Sequence, residues 1–229
     1  MNKDRVVVAL FLVTLSFQSA ILYKQYFGGR SSPPPVADAP PDTVVDPVNL
    51  PMRGTNAARV FVIEFSDYEC PFCARHAAGV AAEIERKFVV TGKVKHAFVN
   101  NPLPIHANAK LLAATAICSG EQGRYWEMHD ALFASMPKSE TEILQVAHRE
   151  MKGLDLEKLQ QCLKSPRPTG IIERDLELVK RLGLSGTPSF AVGRLAPTGH
   201  IQIHKFVRGA QSANVFEKVI GAVLEAESQ

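Results

Sequence analysis

The chain has 229 residues, of which 46% are hydrophobic and 21% charged, and its formal net charge is +3. That balance describes a folded domain with appendages and excludes a low-complexity or collagen-like chain. The basic excess is scattered, with no Lys/Arg block, so nucleic acid is not an expected partner.

Residues 6–23, VVVALFLVTLSFQSAILY, carry no charge. A helix of that length, at about 1.5 Å per residue, spans roughly 27 Å and nearly matches a bilayer core of about 30 Å. The run is longer than a signal-peptide core, and Gln18-Ser19-Ala20 is a poor cleavage site. A membrane anchor over residues 1–27 is therefore expected in preference to a cleaved signal. Lys24 and Arg30 blur the charge asymmetry, so orientation rests on the N-terminal location and the chemistry downstream. Residues 28–54 are dense in proline and lack apolar periodicity. Proline fixes φ and has no N–H, which predicts a semi-extended linker rather than regular pairing.

A folded domain is expected over residues 55–229. Residues 60–65, VFVIEF, read as a buried strand. Residues 70–90 follow with helical spacing, Ala77, Val80, Ala81, Ile84 and Phe88 sharing one face, and residues 93–99 read as a second strand. A helical block comes next: residues 107–118, then 121–134 with Tyr125, Met128, Leu132 and Phe133 inward. Ser139 and Glu142 form a capping box for a helix through Met151, and residues 155–163 form another. A helix over 169–182 stops at Gly183 and Gly186. Strands at 189–192 and 201–206, turned by Gly193 to Gly199, precede a closing helix over 213–227. The order is β-α-β, a helical block, then α-β-β-α.

The four cysteines are Cys70, Cys73, Cys118 and Cys162, an even number that permits two disulfides in three connectivities. They read as one reactive pair and one staple. Cys70-Pro71-Phe72-Cys73 opens a helix directly after a buried strand. Two intervening residues let both sulfurs meet within one turn. Orphan N–H groups and the helix dipole favour a thiolate on the first cysteine, and Pro71 at the first helical position costs nothing. Cys70 is accordingly expected as an exposed nucleophile and Cys73 as the resolving cysteine. Phe72 cannot donate a polar hydrogen bond to Cys70 as histidine could, so milder thiolate stabilisation than in a Cys-Pro-His-Cys motif is expected. The alternative, half of a zinc site, lacks two further ligands at short spacing.

Glu64-Phe65-Ser66-Asp67-Tyr68-Glu69-Cys70-Pro71-Phe72-Cys73 resembles the active-site region of DsbA-like thiol:disulfide oxidoreductases. Gly186-Thr187-Pro188-Ser189-Phe190 resembles their cis-proline loop, and Cys118 with Gln122-Gly123-Arg124-Tyr125-Trp126-Glu127-Met128-His129-Asp130 resembles their helical insert. The resemblance spans residues 58–225. It implies an α/β thioredoxin fold with an all-helical insertion at about 104–165. It also implies a cis Pro188 preceded by Thr187 and facing Cys70; on the residues alone, an ordinary trans proline is the simpler reading. Glu64 matches the family's buried acid, a tuner of the thiols or a proton relay; a locally hydrogen-bonded strand acid is the competing reading. Some relatives have a second disulfide in the insert, which suggests Cys118–Cys162; two buried free thiols remain the other reading.

The resemblance further implies disulfide exchange with extracytoplasmic protein substrates, reoxidation by a DsbB-like or VKOR-like membrane partner, and no prosthetic group. Pro-Phe between the cysteines does not mark the redox direction, so a reductase or isomerase, or an anchored chaperone without turnover, stay open. His76 reads as a solvated helix residue, and His106, His129 and His148 as surface or packing residues. Arg75 reads as a solvated charge, and Trp126 and Phe133 as core of the insert.

Overall fold

The computed structural model describes residues 34–226. The apolar run at 6–23, expected as an anchor, lies outside them, and among the described residues no helix is long and apolar enough to cross a membrane.

The strand expected at 60–65 is β4 (Val60–Ser66), buried at every position. It pairs in parallel with β5 (Val94–Asn100) and antiparallel with β6 (Ser189–Leu195), which pairs antiparallel with β7 (Ile201–Arg208). The register of β6 on β7 shifts between Val192 and Gly193. A Cβ at Gly193 would run into the Gln202 carbonyl, so the shift needs glycine there.

Residues 36–53 depart from the linker expected over 28–54. β1 (Val36–Asp38) and β2 (Val44–Val45) both pair with β7, and β3 (Met52–Arg53) pairs with β5. The sheet order is β1-β7-β6-β4-β5-β3, with β2 also on β7. The strands are short, fall between prolines, and run along the outside of the sheet, where a missing N–H is tolerated. Their few side chains carry too little alternation to register as strands in sequence.

Side chains alternate across β4. Phe61, Ile63 and Phe65 join Val179 and Leu184 in the core on one face. Val60 and Val62 join Ile84, Phe216, Val219, Ile220 and Val223 on the other. The single helix expected over 70–90 is divided. α1 (Pro71–Ala78) ends at Gly79, whose φ of −133° is not helical; α2 (Val80–Ile84) resumes, and Glu85–Val89 is a π-helical turn. Glycine is the weakest helix former after proline, and the break falls on it.

α3 (Ala109–Gly120), α4 (Tyr125–Ser135), α5 (Glu140–Glu150) and α6 (Leu156–Leu163) form the insertion. α4 starts four residues later than its periodicity suggests, because residues 121–124 form a turn in which Gly123 has φ +73°. The Ser139 hydroxyl accepts from Glu142 N at the start of α5, and the Asp155 side chain accepts from Glu157 N and Lys158 N at the start of α6. α7 (Arg167–Arg181) returns to the sheet, and α8 (Ala213–Glu225) closes the chain. The insertion core contains Leu112, Met128, Leu132 and Leu159, is continuous with Cys70 and Cys73, and includes Phe133 with Trp126 packed against it.

Candidate active site

Cys70 is the N-cap of α1, in extended conformation, with Pro71 at the first helical position. Its carbonyl accepts from Ala74 N at 3.0 Å, starting the helix, and its N–H donates to Asp67 O at 3.1 Å. The strand, the tight turn through Asp67 and the proline together place the first sulfur at a helix N-terminus. Cys73 lies one turn inside. Both are free thiols.

Cys70 is less open than expected, only 3% exposed, while Cys73 is fully buried. Pro71 and Phe72 form an exposed rim beside it, Phe72 being 54% exposed with the Arg75 guanidinium over its ring at 5.0 Å. Arg75, read in sequence as a free solvated charge, thus covers the ring of the dipeptide. The expected exposure assumed an isolated helix end; here the 187–188 loop comes against it. The Thr187–Pro188 peptide is cis, and Cys70 Sγ lies 3.7 Å from Thr187 O.

The two thiols titrate in opposite directions. A hydrogen bond from the Cys73 thiol, assisted by the Thr187 hydroxyl and by the Cys73 and Phe72 N–H groups, outweighs burial and brings Cys70 down to about 5. Burial, together with that same hydrogen bond given away to Cys70, pushes Cys73 far up, although the Ser66 hydroxyl and Asp67 N–H favour its thiolate. The first sulfur is a thiolate at neutral pH and the second a thiol.

Glu64 is 2% exposed in β4, between two histidines. Its Oε2 lies 3.3 Å from His96 Nε2 and 4.0 Å from His76 Nε2. Burial opposes its charge, but the hydrogen bond from His96 and the proximity of His76, His96 and His129 prevail and bring it down to about 2. Glu64 is thus ionised. His76, expected as a solvated helix residue, is 2% exposed and packs on Phe190 and Phe216, because this face of α1 covers β4. His129 is buried among Tyr68, Phe98 and Phe133, with Nδ1 3.0 Å from Tyr68 OH, and burial lowers it to about 3.

Two acids ahead of Cys70 went unnoticed in sequence. Asp67 accepts from Glu69 N at 2.7 Å and Leu103 N at 2.7 Å, and pairs with His106 Nδ1 at 2.8 Å. Glu69 accepts from Asn108 N at 2.7 Å. They tie the 103–108 loop to the turn that positions Cys70. Their signal was their place beside the motif, although nothing in the sequence named the loop they hold. His106 is therefore a loop anchor rather than a surface residue.

Cys118 of α3 and Cys162 of α6 form a disulfide across a sequence separation of 44. No cluster of three or more His, Cys, Asp or Glu residues that could hold a metal occurs among the described residues.

The arrangement is that of a thioredoxin-fold protein of the DsbA type: a helix-capping dithiol, a facing cis-proline loop and a helical insertion. A thioredoxin family model matches residues 48–208, and the chain belongs to that family. It is 33% identical over 171 residues to a Na(+)/H(+) antiporter NhaA 3 of Salinispora tropica, covering 74% of this chain but only 25% of that protein. It is 28% identical over 150 residues to disulfide bond formation protein D of Bacillus subtilis, covering 62% of this chain and 67% of the relative. Among solved structures, alpha-DsbA1 of Wolbachia pipientis superposes with a TM-score of 0.68 at 22% identity, over 78% of this chain and 92% of that one. Oxidised BdbD from Bacillus subtilis gives 0.64 at 23% identity, over 77% and 93%.

Proposed function

We propose that the chain is a protein disulfide oxidoreductase that introduces disulfides into protein substrates outside the cytoplasm, through Cys70 and Cys73. The observation that carries this is the opposed titration of the two thiols at one helix N-terminus. A thiolate with a pKa near 5 is a good leaving group, so Cys70 is readily released from its mixed disulfide with substrate. Substrate thiolate attacks Cys70 Sγ and Cys73 departs. A second substrate thiolate then attacks the substrate sulfur of the mixed disulfide, forming the substrate disulfide and releasing Cys70 as thiolate. No prosthetic group enters. Glu64, Pro71, Phe72, Thr187 and Pro188 shape the site, and the Cys118–Cys162 bond braces the insertion behind it.

Anchoring by the N-terminal apolar run and reoxidation by a DsbB-like or VKOR-like membrane protein complete the reading. They are supported by the composition of residues 6–23 and by the family resemblance. The test mixes the oxidised full chain with a reduced, unfolded cysteine-containing protein. Stoichiometric transfer of one disulfide, lost in Cys70→Ser, is expected. Transfer that persists in Cys70→Ser, or none from the wild type, overturns the proposal. Acid-trapped alkylation in cells should find Cys70 and Cys73 oxidised; a reduced pair would point to the reducing direction instead.

A further inference from the structure

Glu64 sits against the helix that carries the dithiol. Side chains three apart on a helix share a face, so His76, whose Nε2 is 4.0 Å from Glu64 Oε2, lies one turn from Cys73 on the same side of α1. The charge on this carboxylate therefore acts on the thiols through a dry interior. A carboxylate that is 2% exposed needs a cation or strong donors to stay ionised. Among the described residues no Lys or Arg pairs with it. Its ion-pair neighbours are His76 and His96, and the charge of a histidine is not fixed near neutral pH. The nearest permanent cation stands one step farther out, at Arg53.

Arg53 in β3 is the cross-strand partner of His96 in β5, and its Nε donates to His96 Nδ1 at 3.3 Å. Glu85 Oε2 lies 3.1 Å from Arg53 Nε, Asp130 Oδ1 lies 3.6 Å from Nη1, and the guanidinium is 4.4 Å from the centre of the Trp126 ring. The direction of the Nε hydrogen separates this from a plain ion pair. Glu85 Oε2 is the nearer atom, yet it receives no hydrogen bond. A ring nitrogen that accepts a hydrogen bond carries no proton, so the single proton of His96 is on Nε2, 3.3 Å from Glu64 Oε2. Protonating Nδ1 would break the bond from Arg53 and set a second cation beside the guanidinium. The other titratable groups facing this row are His76 of α1 and His129 and Asp130 of α4. Burial keeps both of those histidines neutral at pH 7, and Asp130 pairs with Arg53.

We propose that Arg53 is a positioning residue of the dithiol site: its hydrogen bond holds His96 neutral, with the remaining proton turned to Glu64, so that the buried pair facing α1 keeps one negative charge. This rests on the dithiol-exchange reading above. Reduction of a Cys70–Cys73 disulfide at neutral pH creates a further negative charge, the Cys70 thiolate. Arg53 thereby restrains how readily the disulfide is reduced. Without Arg53, Nδ1 is free to take a proton, the Glu64–His96 pair becomes neutral, and the thiolate form gains. Mere loss of a remote cation would act the other way, because removing positive charge disfavours a thiolate. β3 stands two strands out from β4, roughly 10 Å, so the pair is the closer influence. The sign of the change separates the two roles.

The experiment records ring-nitrogen magnetic resonance spectra of the full chain in detergent, with isotope-labelled histidine and His96→Gln to identify the His96 signals. At pH 7 the wild type should show Nε2 protonated and Nδ1 bare. In Arg53→Met the ratio of doubly to singly protonated His96 should rise about 10- to 100-fold, as the loss of one charge-assisted hydrogen bond implies. Arg53→Lys, which keeps a cation and a donor, should hold the wild-type pattern. In a glutathione buffer at pH 7 the ratio of reduced to oxidised Cys70/Cys73 should rise a few-fold in Arg53→Met. A wild-type His96 protonated at Nδ1 overturns the inference. So does an unchanged ring in Arg53→Met, or a reduced-to-oxidised ratio that stays level or falls. If Arg53→Met does not fold, the wild-type spectrum decides, Nδ1 bare supporting the inference and Nδ1 protonated overturning it. A wild type whose two thiols fail to exchange with glutathione counts against the dithiol reading itself, and the ring spectra still judge Arg53.

Discussion

Replacing Cys73 with alanine isolates the largest contribution to the Cys70 thiolate. In that variant the Cys118–Cys162 bond leaves Cys70 as the only free thiol, so its titration is read without interference. The thiol at position 73 donates the hydrogen bond that contributes most to bringing Cys70 to about 5. A hydrogen bond to a charged group contributes about 1.5–3 kcal/mol, and one pKa unit corresponds to about 1.4 kcal/mol. Cys73→Ala should therefore raise the Cys70 pKa by about one to two units. It should not restore the ordinary thiol value, because Thr187 and the N–H groups of residues 72 and 73 remain. The assay is thiolate absorbance against pH, repeated as the rate of iodoacetamide alkylation. An unchanged pKa would show that the second thiol is not the donor, and a full return to the ordinary value would show that the helix N-terminus contributes nothing.

Other outcomes follow from the same site and its supports. The reduced form contains a thiol depressed to about 5, so its extra stability is complete above the ordinary thiol range and is lost as pH falls through about 5. Allowing for solvent screening at the rim, about 1–2 kcal/mol of the stability difference between reduced and oxidised forms should vanish between pH 7 and 5, measured by denaturant melts of both. Asp175, 8% exposed, is raised by burial to about 6 despite accepting from Asn100 N and Nδ2. A raised acid contributes stability that is present below its unfolded pKa and lost as pH climbs through 6. Asp175→Asn should therefore gain about 1–3 kcal/mol on the wild type at pH 8 and almost nothing at pH 4; an equal difference at both would remove burial as the cause. Replacing Cys118 and Cys162 by alanine opens a loop of 44 residues and should cost about 4 kcal/mol in a denaturant melt. Phe72→His should lower the Cys70 pKa further, and a rise would contradict the milder thiolate expected with phenylalanine.

The central strand, the helix that begins at Cys70 and the closing βα pair were legible because each buries one continuous face. Val60 to Phe65 could hardly be anything but an interior strand, and Ser139 with Glu142 announced the start of α5. Four things were not legible, each for a physical reason. Residues 36–53 become strands only because the borders of the sheet offer them partners, and no local periodicity carries that information. The exposure of Cys70 depends on residues 187–188, more than a hundred positions away in the chain. Glu64 was noticed as an unusual acid in an apolar strand, but its histidine neighbours come from a helix and from the adjoining strand, and only the parallel register of β4 on β5 brings His96 to it. His76 was misread for the same reason: eight helical residues with two faces to cover do not say which one meets the sheet.

The arrangement of β1, β2 and β3 has a practical side. These strands cap both outer borders of the sheet, and without them β7 and β5 would present open rows of amide and carbonyl groups to any neighbouring molecule. A protein expressed from residue 55 onward would keep its dithiol and its insertion yet be inclined to stick to itself. Cutting before residue 35 leaves those borders sealed.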